Sequence, residues 1–203
     1  MRTALISDIH GNFDGLMAVL ADIERQRCDR IICLGDLVDG GPKSAEVVQY
    51  IRDCSMIVVR GNHDETSSAE LSKDAEHFLH QLPESIVEGD VIYTHTSPRR
   101  KKSKIIDVQE AWNVFDEVSF RRIFVGDIHI PLVFGERCPE KFSAVSYTIP
   151  YDELRLDRDD RYIICVGAVG YSRDEYRRLR YVIYDNEHDT VVFRAPDGPI
   201  LAF

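Results

Sequence analysis

Five short polar motifs in this sequence each follow an apolar run and carry side chains that can bind metal ions or move protons. They contain Asp8 and His10, Asp36, Asn62 and His63, His95, and Asp127 and His129. Carboxylate, amide and imidazole groups are hard to borderline ligands, and they suit Mn, Fe, Zn or Ni better than thiolate-seeking metals. A carboxylate such as Asp36 has two oxygens and could bridge two ions about 3.5–4 Å apart. The residue types therefore point to metal-assisted chemistry.

Each motif also has an ordinary structural explanation. Asp8 and His10 are two residues apart and would share one face of an extended backbone, but an Asp after a strand can also begin a helix. Gly-Asp pairs are common in turns, and a single histidine such as His95 is more often a hydrogen-bonded polar residue than a ligand. Five such motifs in order, each after a predicted strand, are poorly explained as independent coincidences.

The elements that would position these motifs alternate along the first part of the chain. Apolar runs predict strands at Thr3–Ser7, Ile31–Leu34, Met56–Val59, Val91–Thr94 and Arg122–Val125. Amphipathic spacing predicts helices over Phe13–Arg27, after Pro42, over Ser67–Gln81, and from Val108 to Val118. This rhythm is typical of βαβ units in a mainly parallel sheet. The carboxyl ends of parallel strands meet at one edge, so the motifs should converge there.

The second part of the chain is less regular. Strands are predicted at Pro131–Phe134, Tyr162–Val166, Tyr181–Tyr184 and Thr190–Arg194, with a hairpin turn at Asn186–Asp189. We expect these strands to form a mostly antiparallel sheet, with a long loop over Glu136–Asp160. The sequence contains no internal repeat and no linker rich in Gly or Ser, so we expect a single domain over residues 1–203.

Composition limits the classes of function. The chain has 203 residues, a formal net charge of −10 and a pI near 5.1. An acidic surface repels nucleic acid, which disfavours a protein that coats duplexes but leaves a nucleic acid open as an enzyme substrate. No apolar run approaches the roughly 18 residues that would indicate a membrane span. The five cysteines are odd in number and include no CxxC pair, which favours a reduced, cytoplasmic protein without a zinc–cysteine site.

The motifs together resemble those of a known family. SDIHGN, LGDLVDGGP, VRGNHD, THTSP and GDIHIP are similar to the successive motifs of the calcineurin-like metallophosphoesterases, and the segment Val166–Asp185 resembles one in small bacterial and archaeal phosphodiesterases of that superfamily. The resemblance spans nearly the whole chain. It implies an α/β fold, a four-layer α/β/β/α sandwich in which helices flank two mixed β-sheets, with a dinuclear metal centre.

The resemblance also implies roles for individual residues. Asp8, His10 and His129 would hold one metal, Asp36 would bridge, Asn62 and His95 would hold the other, and His63 would give a proton to the leaving oxygen or contact the phosphate. The expected cofactors are two divalent transition metal ions among Mn, Fe, Ni and Zn, with Mn favoured. The expected reaction is hydrolysis of a small or nucleotide-like phosphodiester by a metal-bridging hydroxide.

Three features depart from the family pattern or lie beside it. Asp127 occupies the position of the first histidine in the family's G-H-x-H; it either ligates the second metal and biases it toward Mn or Mg, or points away and leaves that site weak. Gly40 stands where protein phosphatases of the superfamily carry an arginine. The basic run Arg99–Lys104 is either a solvated loop or a patch that recruits polyanionic substrates.

Other interpretations stay open at this stage. One is a phosphomonoesterase, including a protein phosphatase or a dinucleoside polyphosphate phosphatase. Another is a scaffold protein that retains the fold with weakened chemistry. Asp64 could orient His63 or cap the next helix. The expected partners are a small phosphate ester or a nucleotide and no membrane, while the sequence leaves a homo-oligomer open.

Overall fold

The computed structural model describes residues 1–149 and 153–202. The strands are β1 (Arg2–Ile6), β2 (Arg30–Cys33), β3 (Ile57–Val58), β4 (Ser85–Glu88), β5 (Val91–Thr94), β6 (Arg122–Val125), β7 (Pro131–Gly135), β8 (Val145–Tyr147), β9 (Glu153–Arg155), β10 (Tyr162–Val166), β11 (Tyr181–Asp185) and β12 (Thr190–Arg194). The helices are α1 (Phe13–Gln26), α2 (Ser44–Asp53), α3 (Asn62–Glu65), α4 (Lys73–Gln81) and α5 (Val108–Glu117).

The strands form two six-stranded mixed sheets. The first sheet has the order β3-β2-β1-β11-β12-β9, in which β1, β2 and β3 are parallel and the other pairs are antiparallel. The second has the order β4-β5-β6-β10-β7-β8, in which β5, β6 and β10 are parallel. The parallel strands bring the ends of β1, β2 and β3 to one edge of the first sheet, and those of β5 and β6 to one edge of the second.

The side chains of successive strand residues show that the two sheets pack face to face. In β1, Leu5 belongs to a buried cluster that also contains Phe124 and Ile164 of the second sheet. Its neighbours Ala4 and Ile6 point the other way, into a cluster with the apolar faces of α1, α2 and α4. Because both faces of β1 are covered, its last three residues, Ala4, Leu5 and Ile6, are all apolar and fully buried.

The second sheet is covered on its outer face in the same way. Ile163 and Cys165 of β10 pack with Ala111 and Val114 of α5. The layers are therefore helices, first sheet, second sheet and helix, and the predicted four-layer α/β/β/α sandwich is confirmed. Each fully buried aliphatic side chain in these layers contributes about 1.5–3 kcal/mol.

Two predictions about the second half of the chain were wrong or incomplete. Its strands do not form one antiparallel sheet: β7 and β10 join the second sheet, whereas β11 and β12 join the first through the β1–β11 pairing. A strand pattern shows which residues are extended but not which sheet edge accepts them. The predicted loop over Glu136–Asp160 contains β8 and β9, and its residues 150–152 lie outside the described residues.

One helix begins later than predicted. The helix expected over Ser67–Gln81 starts only at Lys73, because the Ser72 hydroxyl accepts a hydrogen bond from the Ala75 N–H and caps it. The preceding Ser67 and Ser68 instead donate hydrogen bonds to Asp39. None of the helices within the described ranges is long and apolar enough to cross a membrane.

Candidate metal centre

The chemically distinctive side chains lie where strands of both sheets end. In the first sheet, Asp8 and His10 follow β1, Asp36 follows β2, and Asn62 and His63 begin α3, the helix that comes after β3. In the second sheet, His95 follows β5, and Asp127 and His129 follow β6. The first sheet thus supplies five of these residues and the second sheet three. Hydrogen bonds between the strand ends hold the loops in place, among them Asp8 N–H to Gly35 O at 2.9 Å and Gly126 N–H to His95 O at 3.0 Å.

One group of ligand atoms forms around Asp8. Its Oδ1 lies 3.2 Å from His129 Nε2 and 3.9 Å from His10 Nε2, and the two imidazole Nε2 atoms are 3.2 Å apart. All three side chains are buried. Their ligand atoms lie within 4.8 Å of one another, which is close enough for one metal ion to contact them all.

A second group forms around Asp36. Its Oδ2 lies 3.2 Å from His95 Nε2 and 3.6 Å from His10 Nε2, while its Oδ1 accepts a hydrogen bond from the His63 backbone N–H at 2.9 Å. Asn62 Oδ1 lies 3.2 Å from His95 Nε2. The Asp36 carboxylate therefore has one oxygen fixed by the backbone and the other between the two groups.

The tautomers of the three buried imidazoles follow from their hydrogen bonds. Each Nδ1 faces a backbone carbonyl: that of His10 faces Val38 O at 3.1 Å, that of His95 faces Leu34 O at 2.7 Å, and that of His129 faces Tyr171 O at 2.8 Å. A carbonyl can only accept, so each Nδ1–H donates and a neutral ring presents an Nε2 lone pair to the centre. Metal-binding histidines are held in this way, and the donor set fits metal ions.

The charges of the centre favour a cation. Burial raises the pKa of Asp8, but the hydrogen bond with His129 and the charges of the neighbouring imidazoles hold it well below its usual range. Burial lowers the pKa of His95, yet the Asp36 carboxylate, with help from Asp8 and Asp127, raises it to about 10. The buried carboxylates that stabilise the proton on His95 would stabilise a metal cation at the same place for the same electrostatic reason.

The backbone reaches this arrangement through an unexpected conformation. Extended backbone was expected to place Asp8 and His10 on one face, but both have positive φ, at 54° and 50°. Asp36, Asp39, Asp127 and His129 are also left-handed, with φ of 56°, 65°, 67° and 61°. Asp, Asn and His tolerate this region better than most residues, and such strain is concentrated at functional sites.

His63 lies at the solvent side of the centre and has a different partner from the one expected. Its ring is 5.0 Å from that of His10, and its side chain is 42% exposed. Its Nδ1 lies 3.1 Å from Asp39 Oδ2, so Asp39 and not Asp64 orients it. Burial alone would raise the pKa of Asp39, but the hydrogen bonds from His63 and Ser67 outweigh burial and place that pKa below its usual value. This carboxylate therefore stays ionised.

Asp64 acts on the backbone. It accepts hydrogen bonds from the N–H groups of Gly61, Asp36 and Leu37 at 2.9, 2.9 and 2.8 Å. The bond from Gly61 is the cap interaction that the sequence left open, and the other two tie the loop after β2 to the start of α3. Burial and the charge of Asp36 raise the pKa of Asp64 to about 6.

Asp127 is near the centre but its carboxylate has another partner. Its N–H donates to both oxygens of Asp8, at 3.2 and 3.1 Å, whereas its own Oδ1 lies 3.0 Å from Lys104 Nζ. Its carboxylate is absent from the close groups of ligand atoms found in the described ranges. The predicted role of Asp127 as a ligand stays a prediction, and a metal would have to compete with Lys104 for it.

Two residues were missed by sequence analysis. Asp39 lies in the motif LGDLVDGGP, where a second carboxylate three residues after Asp36 was a usable signal. Tyr171 stacks on His10 and packs at a tilt against His129, with ring centroids 4.9 and 4.3 Å apart, because the chain after β10 runs beside the Asp8 loop. Only its position after a strand end could have suggested it.

Comparison with known proteins gives one consistent result. Residues 1–193 match the calcineurin-like phosphoesterase family. The chain is 32% identical over 214 residues to an uncharacterised protein of Methanocaldococcus jannaschii, covering 91% of this chain and 82% of that one. It is 43% identical over 222 residues to the symmetrical bis(5'-nucleosyl)-tetraphosphatase of Serratia proteamaculans, covering 97% and 71%. A crystal structure of a metallophosphoesterase from Sphaerobacter thermophilus matches with a TM-score of 0.84 at 31% identity, covering 98% and 90%.

Proposed function

The chain belongs to the calcineurin-like phosphoesterases, which are metal-dependent hydrolases of phosphate esters, and from this premise we propose that it cleaves small or nucleotide-like phosphodiesters at a two-metal centre. In this proposal Asp8, His10 and His129 would hold one ion, Asn62 and His95 would hold the other, and Asp36 would bridge them. The position of Asp36 Oδ2, 3.6 Å from His10 Nε2 and 3.2 Å from His95 Nε2, is the observation that supports it best.

The residues of the chain have separate tasks in this reaction. Two divalent ions, when bound, neutralise the charge of the phosphate and lower the pKa of the attacking water. The carbonyls of Val38, Leu34 and Tyr171 fix the three imidazoles so that little reorganisation is needed. Asp39 accepts a hydrogen bond from His63 Nδ1–H, so in the protonated ring the Nε2–H is the group that delivers a proton to the departing alkoxide and leaves a neutral imidazole.

We also infer several finer properties. Manganese suits the set of imidazole, carboxylate and amide donors, which contains no thiolate. All five cysteines are free, which supports a reducing, cytoplasmic location. The continuous layering of the two sheets and their helices supports a single domain over residues 1–203.

A second candidate reaction is hydrolysis of dinucleoside polyphosphates. The name of the Serratia proteamaculans relative states that activity for that protein. In this chain, the exposed Arg173 places its guanidinium carbon 5.7 Å from the centroid of the Tyr171 ring, which itself lies on His10 and His129. A cation beside the centre favours substrates with further phosphate groups.

The decisive experiment measures metal content and turnover together. Protein loaded with Mn²⁺, Fe²⁺, Co²⁺, Ni²⁺ or Zn²⁺ is assayed on bis-p-nitrophenyl phosphate, p-nitrophenyl phosphate and diadenosine tetraphosphate. We expect Mn²⁺-dependent cleavage that EDTA abolishes, with the diester the best small substrate. His95→Gln should lose one ion per chain and nearly all activity.

His188→Gln is the matched control for His95→Gln. His188 is exposed and lies beside Asp185 and Glu187 at the opposite end of the first sheet, where β11 begins to turn toward β12. Its substitution removes the same side chain without touching the centre. A wild-type protein that retains no metal and cleaves none of the substrates would instead support the scaffold interpretation.

A further inference from the structure

The ion pair between Asp127 and Lys104 combines a buried carboxylate with a half-exposed ammonium. The side chain of Asp127 is 9% exposed and that of Lys104 is 55% exposed, with 3.0 Å between Oδ1 and Nζ. An ammonium has three N–H donors, and the ion pair with Asp127 Oδ1 occupies one side of it. Lys104 therefore presents positive charge toward solvent beside the metal centre.

Asp127 is anchored by its own backbone, and Lys104 is anchored by its two neighbours in the chain. The Asp127 N–H donates to the Asp8 carboxylate, which fixes this residue on the centre itself. On the other side, Ser103 N–H donates to the buried Ser97 hydroxyl at 3.2 Å, and Ile105 is 2% exposed in the core beneath α5. Lys104 is thus held between two fixed residues and is not part of a freely moving loop.

Lys104 differs in this respect from the rest of the basic run. Arg99 pairs with Glu110 and Glu117 on α5, at 3.1 and 2.7 Å. Lys102 is 50% exposed and lies 3.7 Å from Glu84, a surface carboxylate that is itself 67% exposed. Among the pairs that the run makes within the described part of the chain, only that of Lys104 leads to a residue bonded to Asp8.

The pair also changes the charge balance at the centre. A third carboxylate beside Asp8 and Asp36 would lower the net positive charge of a two-metal site and weaken its attraction for phosphate. The ammonium of Lys104 compensates that charge. Its N–H donors lie on the side of the centre where the Asp127 N–H contacts the Asp8 carboxylate.

We propose that Lys104 binds a phosphate oxygen of the substrate and that Asp127 is its positioning residue rather than a metal ligand. This inference rests on the proposed phosphoesterase function and specifies the recognition of its substrate. The substrate class is a phosphate ester with an anionic oxygen directed away from the attacked bond, and substrates with additional phosphates gain most. Charge-assisted hydrogen bonds of this kind are among the stronger polar contacts in proteins.

The test compares Lys104→Met with Lys102→Met, which removes the same charge from a similarly exposed position of the same run. We expect Lys104→Met to raise KM about tenfold while kcat stays within about threefold, as for loss of one charge-assisted hydrogen bond. The dissociation constant of inorganic phosphate for the Mn²⁺-loaded protein, measured by calorimetry, should rise equally. Lys104→Arg should restore both values, and Lys102→Met should change neither.

Asp127→Asn tests the positioning role. We expect a rise in KM and in the phosphate dissociation constant similar to that of Lys104→Met, with the number of Mn²⁺ ions per chain unchanged. Loss of an ion in Asp127→Asn would make Asp127 a ligand and overturn the inference. Equal effects of Lys104→Met and Lys102→Met, or a fall in kcat at constant KM, would overturn it as well.

The same measurements separate this inference from the proposed function. Wild-type turnover of bis-p-nitrophenyl phosphate with Mn²⁺ decides the function. The difference in phosphate affinity between Lys104→Met and Lys102→Met decides the role of Lys104, whether or not turnover is found.

Discussion

His63 Nδ1 lies 3.1 Å from Asp39 Oδ2, and this contact orients the one imidazole of the centre that is substantially exposed. Asp39 is itself fixed, because its other oxygen accepts hydrogen bonds from the Ser67 hydroxyl and from the N–H and hydroxyl of Ser68. An oriented and partly exposed imidazole is suited to proton transfer, whereas the three buried imidazoles are suited to metal binding.

Substitution of either partner should affect poor leaving groups most. His63→Gln should lower kcat by roughly 10²–10⁴ on esters of weakly acidic alcohols, because their oxygen must be protonated as it leaves. Asp39→Asn should lower it less, since the ring is present but an amide N–H faces its Nδ1. The measurement is kcat over a series of leaving groups, and p-nitrophenolate should show the smallest loss. The same loss across the series would instead assign His63 to phosphate binding.

Gly61→Ala should damage the metal centre through a steric collision, and not through the backbone conformation of residue 61 itself. Gly61 has φ −92° and ψ 174°, which alanine adopts readily, but an added Cβ would collide with Asp36 Oδ1 and the Asp36 N–H. We expect Mn²⁺ affinity to fall by about 10–100-fold, as when the support of a ligand is lost. Gly89→Ala is the control: its Cβ meets nothing within 4 Å and its φ is 61°, so it should lower stability by about 1 kcal/mol and leave Mn²⁺ affinity unchanged.

Asp64→Asn should destabilise the protein by about 2–4 kcal/mol, since three buried N–H groups share this carboxylate and an amide offers one oxygen. Urea unfolding of the metal-free protein measures the loss. Asp53→Asn, an exposed change at the end of α2, should stay within about 0.5 kcal/mol of wild type. If the two variants were equally stable, the three hydrogen bonds would not be important for the fold.

Asp189→Asn should remove an acid-sensitive part of the stability. Burial raises the pKa of Asp189, but hydrogen bonds from Arg122 and Arg121 lower it below the usual 3.8. A lowered pKa in the folded state gives stability that is present above pH 3.8 and is lost as the pH falls further. Because the Arg122 side chain is fully buried, the variant should lose about 3–5 kcal/mol at pH 7.

The pH dependence of that loss is the critical measurement. The difference in unfolding free energy between wild type and Asp189→Asn should shrink as the pH drops below 3.8, in protein treated with EDTA. Asp90→Asn breaks the exposed pair with Arg121 and should cost at most about 1 kcal/mol. A difference that stays constant with pH would show that packing, and not charge, is lost at Asp189.

The sequence predicted most helices and strands and the set of polar residues at the centre. It did not predict the contacts that orient those residues. Strands such as Tyr162–Val166 were predicted to the residue because an apolar run between a charged residue, Arg161, and a glycine, Gly167, allows few alternatives. The edge strand β4 was missed because its residues, Ser85–Glu88, are largely exposed and mixed in character. Asp39 and Tyr171 were missed because their contacts join segments that only the tertiary fold brings together.

The left-handed residues explain the remaining difference. The prediction that Asp8 and His10 act together assumed an extended backbone between them. In the protein both residues have a left-handed backbone conformation instead. Backbone conformation at a strand end depends on the neighbouring loops, here through bonds such as His10 N–H to Asp36 O at 3.0 Å. Residue type alone shows only that Asp and His tolerate such a conformation.

The residues of the centre are divided between the two sheets, so enzymatic activity should report any separation of one sheet from the other. Asp8, His10, Asp36 and Asn62 stand on one sheet and His95 and His129 on the other, across the interface of Leu5, Phe124 and Ile164. A slight separation or slide of one sheet would therefore divide the ligands before either sheet lost its own hydrogen bonds. Activity should then be lost at a lower denaturant concentration than the circular dichroism signal. The difference between the two midpoints would report how strongly the two sheets are packed against each other.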